Sequence, residues 1–191
     1  LGEGEETFRF LVEAFEKKFA SYVGAKHAIG TNTGTGALIL ALKAAGVRPG
    51  DEVITVANTF IATVGAIVAA GARPVFVDCD ARYQIDVDKI EAAITPKTTA
   101  ILPVHWAGCP PEMDRILEVA DRRGLPVVED ACPAVGAKIG GRHAGTFGKL
   151  GAFSMQPLKP LNVWGDGGIV VTDDDEAARF LRLYRNHGLV D

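Results

Sequence analysis

The chain has 191 residues, of which 48% are hydrophobic and 23% charged, and its formal net charge is −4 at pH 7. This balance is typical of one soluble globular domain. Because the chain is acidic and has no basic stripe, we expect no nucleic-acid partner. Its longest apolar runs, such as residues 64–72, are too short and too rich in Gly and Ala to span a bilayer, so we expect no membrane insertion.

The N-terminal residues 1–6 are acidic and carry no cleavable signal pattern. The three cysteines, at positions 79, 109 and 132, have no CxxC spacing, which argues against a disulfide framework and against a metal site. A reducing cytoplasm is therefore the expected compartment. The chain ends at residues 186–191, just after a helical pattern, and we expect further sequence beyond that point.

Helical and strand patterns alternate along the chain. Apolar residues from Phe8 to Val23 recur at helical spacing, which predicts a first amphipathic helix that ends at Gly24. Further helices are predicted over residues 37–45, 60–70, from Asp86, 111–123 and 174–184. Strands are predicted over residues 27–30, 52–56, 74–78, 99–105, 125–130, 151–154 and 169–172. The order predicts an α/β domain with a mostly parallel sheet sandwiched by helices.

In such sheets, ligands gather at the carboxyl ends of the strands. The run Thr33-Gly34-Thr35-Gly36 follows a short strand and opens a helix. Its small residues, its hydroxyls and the helix N-terminus together suit a phosphate group. A Gly-rich turn without a ligand is the alternative. The run is neither a P-loop nor a GxGxxG fingerprint.

Other polar or aromatic side chains follow predicted strands. Asp130 could be a helix cap or half of an ion pair, or it could face a protonated ring nitrogen. Ser154 could supply another phosphate hydroxyl. His105, with Trp106 beside it, could line a substrate pocket or could be packed and hydrogen-bonded. Phe60 could belong to the core or could stack on an aromatic ring.

Lys159 lies between Pro157 and Pro160 in an apolar segment. Pro160 disfavours a helical conformation at the residue before it, and Pro157 fixes its own φ. A partly buried lysine can present a neutral amine, which suits Schiff-base chemistry. A surface lysine in an ordinary loop is the alternative.

Taken in order, these motifs resemble the DegT/DnrJ/StrS sugar aminotransferases, which are fold-type I enzymes dependent on pyridoxal 5′-phosphate (PLP). The resemblance covers the whole chain and also rests on the segments Phe15-Glu16, Phe19-Ala20, 49–54, 74–78, Val104-His105, 145–148, 165–168 and 185–188. It implies that residues 1–191 are the PLP-binding large domain, as a fragment that lacks the small C-terminal domain. It also implies a homodimer in which the partner chain completes the phosphate site.

The resemblance assigns roles to individual residues. Lys159 would be the Schiff-base lysine that moves a proton during the reaction. Asp130 would hold the pyridine nitrogen, and Phe60 would stack on the ring. Thr33, Gly34, Thr35 and Ser154 would bind the phosphate. Pro133 departs from the family, which more often has Gln or His there to contact the 3′ oxygen, and Met155 replaces a more usual Phe.

The resemblance implies transfer of an amino group from glutamate or glutamine, through PLP and its amine form PMP, to a keto or aldehyde carbon of a sugar or cyclitol, often nucleotide-linked. One alternative is a PLP-dependent sugar dehydratase or lyase. Lys159 argues against it, because such dehydratases have His at that position. A second alternative is a non-catalytic PLP-binding regulatory protein. A nicotinamide-binding Rossmann domain is disfavoured by the missing glycine fingerprint.

Overall fold

The computed structural model describes residues 3–189, and the side chain of Phe8 lies outside the described residues. The helices of the described chain are α1 (Glu3–Val23), α2 (Gly34–Ala44), α3 (Ile61–Ala69), α4 (Val87–Ala93), α5 (Met113–Arg123) and α6 (Asp175–Arg185). The strands are β1 (His27–Thr31), β2 (Glu52–Val56), β3 (Arg73–Val77), β4 (Thr98–Leu102), β5 (Val128–Asp130), β6 (Lys138–Ile139), β7 (Arg142–His143), β8 (Leu150–Ser154) and β9 (Gly168–Thr172).

Seven of these strands form one layer in the order β1-β9-β8-β5-β4-β2-β3. Ladders join β1, β9, β8 and β5 in one set and β3, β2 and β4 in another. Parallel bridges from Ile101 to Val127 and from Val104 to Asp130 connect β4 to β5. Strand β9 is antiparallel to both of its neighbours, whereas the other pairings are parallel. The predicted α/β architecture with a mostly parallel sheet is confirmed.

Successive strand residues point to opposite faces of the sheet, and the buried core divides accordingly. On one face, Val53, Val128 and Val170 pack with α2, α3 and α6. On the other face, Ile54 packs with α4 and α5, and Phe153 packs with α1. Helices thus cover both faces of the sheet, as the continuous apolar strands predict.

Several element boundaries differ from those predicted. Helix α2 begins at Gly34 rather than Ala37, because the Thr33 hydroxyl accepts the N–H of Gly36 at 2.9 Å and caps the helix earlier. Strand β4 ends at Leu102 rather than His105. Pro103 has no N–H to donate, and beyond it only an isolated bridge at Val104 remains.

The hairpin of β6 and β7 has no counterpart in the sequence analysis. Each of its strands has two residues, too few for a readable alternation of apolar and polar side chains. Gly140 and Gly141 supply the two positive φ angles of its turn, 55° and 89°. Within residues 3–189, no helix has the length and apolar character needed to cross a membrane.

Candidate active site

The candidate site lies at the carboxyl ends of β5 and β8, which are adjacent and parallel. Asp130 is in register with Ala152, and Ser154 lies two residues further along β8. Val128 and Ala152 both face the layer of α2 and α3. By strand alternation, Asp130 and Ser154 face that layer too. The two predicted residues therefore share one edge and one face of the sheet.

Asp130 is a buried carboxylate with two hydrogen-bond donors. Asp130 is 3% exposed. Thr63 Oγ1 donates to Oδ2 at 2.6 Å, and the backbone N–H of Cys132 donates to Oδ1 at 3.1 Å. Asp130 caps no helix and has no salt-bridge partner among residues 3–189. The geometry therefore disfavours both structural alternatives for Asp130, a helix cap and half of an ion pair.

The loop before α2 approaches β8 very closely. A Cβ built on Gly34 would lie 2.5 Å from Ser154 Cβ and 2.9 Å from Ser154 Oγ, so this contact requires glycine. Gly34 and Thr35 are the first residues of α2, and their N–H groups have no intrahelical acceptor. The Ser154 hydroxyl and a helix N-terminus therefore lie together, which is a suitable arrangement for an anion.

Lys159 is half-buried in the loop that joins β8 to β9, while its neighbour Leu158 is 89% exposed. The N–H of Lys159 donates to the carbonyl of Gln156 at 2.8 Å and closes a turn. Burial raises the pKa of the Cys132 thiol well above its usual value, and the negative charge of Asp130 raises it further. The positive charge of Lys159 opposes that shift.

Phe60 directly precedes α3, and its side chain is 64% exposed. This exposure disfavours the core alternative and leaves the ring free on the surface. The carbonyl of Phe60 accepts the N–H of Thr63 at 3.1 Å, and the hydroxyl of the same Thr63 donates to Asp130.

His105 is fully buried, and its Nε2 lies 2.8 Å from Glu129 Oε2. Glu129 precedes Asp130 in β5, so it points to the opposite face of the sheet from the candidate site. The geometry favours the packed, hydrogen-bonded alternative for His105. Trp106 is half-buried at the start of a 3₁₀ turn, and its backbone is hydrogen-bonded to the side chain of Gln84.

Thr63 and Glu129 are buried polar residues for which the sequence predicted no role. Thr63 is the single hydroxyl side chain in the apolar helix α3, and it is 1% exposed. A buried polar group in such a helix needs a partner, which is the signal that could have identified it. Glu129 is fully buried in β5, which is the same signal.

Two clefts on the described surface lie away from the predicted residues, one beside Tyr22 and His143 and the other beside Glu91 and Arg115. Residues from β5, β8 and α2 bring a carboxylate, a hydroxyl and backbone N–H groups to one edge of the sheet, and the loop after β8 carries the amine of Lys159.

Solved structures of PLP aminotransferases have the same fold, which confirms the fold-type I large domain as the class of this structure. The chain belongs to the DegT/DnrJ/EryC1/StrS aminotransferase family, whose model matches residues 9–191. The structure of S. venezuelae DesV in complex with a ketimine intermediate superposes with a TM-score of 0.91 at 48% identity, covering 94% of this chain and 49% of that chain.

Two curated relatives show how functions differ within this similarity. The dTDP-3-amino-3,4,6-trideoxy-alpha-D-glucose transaminase of Micromonospora megalomicea subsp. nigra is 52% identical over 93% of this chain and 48% of its own length. The pleiotropic regulatory protein of Geobacillus stearothermophilus is 48% identical over 98% of this chain and 52% of its own. The chain thus spans about half the length of the curated relatives it matches.

A further solved structure, NtdA from Bacillus subtilis, contains the cofactor PMP. It has a TM-score of 0.86 at 40% identity and covers 91% of this chain and 39% of that chain. A PLP-type cofactor is therefore found in a protein with this fold and a similar sequence.

Proposed function

We propose that this chain is the cofactor-binding large domain of a PLP-dependent sugar aminotransferase. The observation that carries the proposal is the meeting of Asp130 with the Gly34–Ser154 contact at one edge of the sheet, with Lys159 in the loop that follows β8. Each of these features supplies a group that one part of PLP requires. The same edge is where parallel sheets of this kind bind ligands.

The donor set fits PLP part by part. The N–H groups of Gly34 and Thr35, with the hydroxyls of Thr35 and Ser154, would hold the phosphate, while Thr33 is engaged as the helix cap. Asp130 accepts hydrogen bonds from Thr63 Oγ1 and from the N–H of Cys132, and a carboxylate can accept more, so it can also face a protonated pyridine nitrogen. Phe60 has an exposed ring that would stack on the cofactor.

PLP, when bound, supplies an electron sink for breaking bonds to the amino-bearing carbon. The residues of this chain would bind it, orient it and move protons. Lys159 Nζ would carry the covalent link and then accept and return the proton. Asp130 would keep the ring nitrogen protonated, and Thr63 would hold the carboxylate in place. Pro133 offers no donor for the 3′ oxygen, so another residue would supply that contact.

The proposed substrates are glutamate or glutamine as amino donor and a keto or aldehyde sugar or cyclitol, often nucleotide-linked, as acceptor. The relative of Micromonospora megalomicea subsp. nigra, named as a transaminase of a dTDP-linked sugar, supports this class. We further propose a cytoplasmic homodimer, in which a small C-terminal domain and the partner chain complete the site. Trp106, which follows β4, is the remaining candidate for contact with substrate, because His105 is fully buried and hydrogen-bonded to Glu129.

The test is PLP binding by the full-length protein. Reconstituted wild-type protein should show the visible absorption band of covalently bound PLP, and Lys159→Ala should abolish it. Lys149→Ala is the matched control, since this lysine pairs with Asp174 at the end of β9 distant from the site, and it should keep the band. A wild-type protein that binds no PLP would rule out the proposed function.

A non-catalytic PLP-binding regulator is the second candidate, and the relative named as a pleiotropic regulatory protein favours it. Both candidates require bound PLP, so the band does not separate them. Glutamate should convert bound PLP to PMP in an aminotransferase. Stable PLP in the presence of glutamate and glutamine would favour the regulator.

A further inference from the structure

Behind Asp130, on the opposite face of the sheet, lies a buried pair that the proposed function does not use. Glu129 and His105 are both fully buried, and His105 Nε2 lies 2.8 Å from Glu129 Oε2. A buried charged or polar pair costs desolvation free energy unless its hydrogen bonds are satisfied.

Glu129 is the acceptor at the centre of a cluster of donors. The N–H of Gly145 donates to Oε2 at 2.7 Å, and the N–H of Gly148 donates to Oε1 at 2.6 Å. Both are backbone donors and cannot turn away. Because the carboxylate is an acceptor, His105 Nε2 must carry the hydrogen of the third bond. His105 Nδ1 has no partner within residues 3–189, which favours the neutral tautomer with its hydrogen on Nε2.

His105 also holds the backbone of Asp130 directly. Its N–H donates to the carbonyl of Asp130 at 3.0 Å, and the N–H of Asp130 donates to the carbonyl of Pro103 at 2.9 Å. One residue therefore binds β5 twice, through its backbone at Asp130 and through its side chain at Glu129. The Cα atoms of Glu129 and Asp130 lie in one peptide plane. A backbone rotation at Glu129 would therefore also turn the Asp130 carboxylate away from Thr63.

We propose that Glu129 and His105 are positioning residues, which fix the direction of the Asp130 carboxylate toward the cofactor ring nitrogen from the opposite face of the sheet. This inference rests on the proposed function. Neither residue touches the cofactor, and both act through Asp130.

The test uses the full-length protein loaded with PLP that is labelled with ¹⁵N in its ring. The chemical shift of the ring nitrogen reports whether it is protonated, and therefore whether Asp130 faces it. Glu129→Gln leaves at least one of the three donors without an acceptor. We expect it to move the shift toward the unprotonated form and to weaken PLP binding about tenfold.

A pair of His105 variants separates positioning from packing. His105→Phe fills the space but donates no hydrogen bond, and it should behave like Glu129→Gln. His105→Gln can donate through its amide and should restore the wild-type shift. Glu52→Gln is the matched control: Glu52 is also a buried strand carboxylate, 3% exposed, but it lies at the far end of β2 and accepts from Thr95 Oγ1 at 2.7 Å. It should lower thermal stability and leave the ¹⁵N shift unchanged.

The inference is overturned if Glu129→Gln and His105→Phe keep the wild-type ¹⁵N shift and bind PLP within about twofold of the Glu52→Gln control. If Glu129→Gln fails to fold, the comparison of His105→Phe with His105→Gln decides the matter. A wild-type protein that binds no PLP removes the proposed function itself, an outcome distinct from a wild type that binds PLP and variants that bind it equally well.

Discussion

Thr63 and Asp130 are joined by a hydrogen bond of 2.6 Å that connects the first turn of α3 to the end of β5. Thr63 Oγ1 also lies 2.7 Å from Thr59 Oγ1, so a short chain of hydroxyls leads from the surface to the buried carboxylate. The bond holds one Asp130 oxygen on the side of α3. The direction of the carboxylate thus depends on a helix that contributes no charged group.

Thr63→Val should weaken PLP binding by the full-length protein about tenfold, because the shape is kept while the carboxylate loses a hydrogen-bond donor. Titration of the apoprotein with PLP measures this. Thr55→Val is the control, since Thr55 is equally buried but donates to the carbonyl of Leu102 in the core. It should cost about 1 kcal/mol of stability and leave PLP binding unchanged. Equal affinity in both variants would contradict the role given to Thr63.

Gly34→Ala should abolish or severely weaken cofactor binding. Its new methyl group would lie 2.5 Å from Ser154 Cβ, so either α2 or the end of β8 must shift. Gly65→Ala in α3 is the matched control, because a Cβ there meets no atom within 4 Å. In a helix interior this change should stabilise the protein by up to about 1 kcal/mol. PLP titration and thermal unfolding of both variants would test the pair, and an unaffected Gly34→Ala would exclude the proposed phosphate site.

Cys132 should resist alkylation in the folded protein. Burial first, and then the negative charge of Asp130, raises the pKa of this thiol well above its usual value, and the reactive form is the thiolate. Cys109 is exposed. At about pH 8, iodoacetamide should modify Cys109 at least about tenfold faster than Cys132, as followed by peptide mass spectrometry. Urea should abolish the difference, and equal rates in the native protein would contradict the burial of Cys132.

Asp174 should make stability depend on pH. The N–H of Ala177 is the main cause that lowers the pKa of this helix-capping carboxyl, and Lys149 contributes. A lowered pKa means that the stabilisation is present above the unfolded value, 3.8, and is lost as the pH falls through the folded value. Urea unfolding across this range should show a shallower dependence on pH for Asp174→Ser, which keeps a cap that does not titrate.

At about pH 7, Asp174→Ala should cost about 1 kcal/mol, because α6 then loses its cap altogether, whereas Asp174→Ser should cost less. Asp173 offers a neighbouring control: it accepts the N–H of Lys26 at 2.7 Å and caps no helix. Asp173→Ser should leave the cap of α6 in place. If Asp174→Ser has the wild-type slope, another carboxyl causes the pH dependence.

Much of this site can be read from the sequence because parallel strands end at one edge. Strand β2 has the bounds that its apolar pattern predicts, Ser154 follows a continuous apolar run, and Asp130 ends the strand predicted over residues 125–130. Once both strands are taken as parallel neighbours, their terminal residues must lie together. The fold class and the meeting of these two residues thus follow from local patterns and one rule of sheet geometry.

The rest depends on packing that no local pattern encodes. Pro103 interrupts the alternation in β4: Leu102 faces α2 and α3, yet Val104 faces the other side, where unbroken alternation would place it with Leu102. The side of the sheet on which His105 lies therefore could not be predicted by counting residues along the strand. Thr63 likewise reaches Asp130 only because of the angle at which α3 packs on the sheet.

The direction of β9 lets the loop that carries Lys159 change in length without moving its ends on the sheet. Because β9 runs back beside β8, Ser154 is in register with Gly168, and the N–H of Met155 donates to the carbonyl of Gly167 at 2.8 Å. The loop therefore leaves and re-enters the sheet at the same place. Insertions between Pro160 and Asp166 would therefore leave the distance along the chain from Ser154 to Lys159 unchanged, provided that the hydrogen bond from the N–H of Val163 to the carbonyl of Met155 is kept.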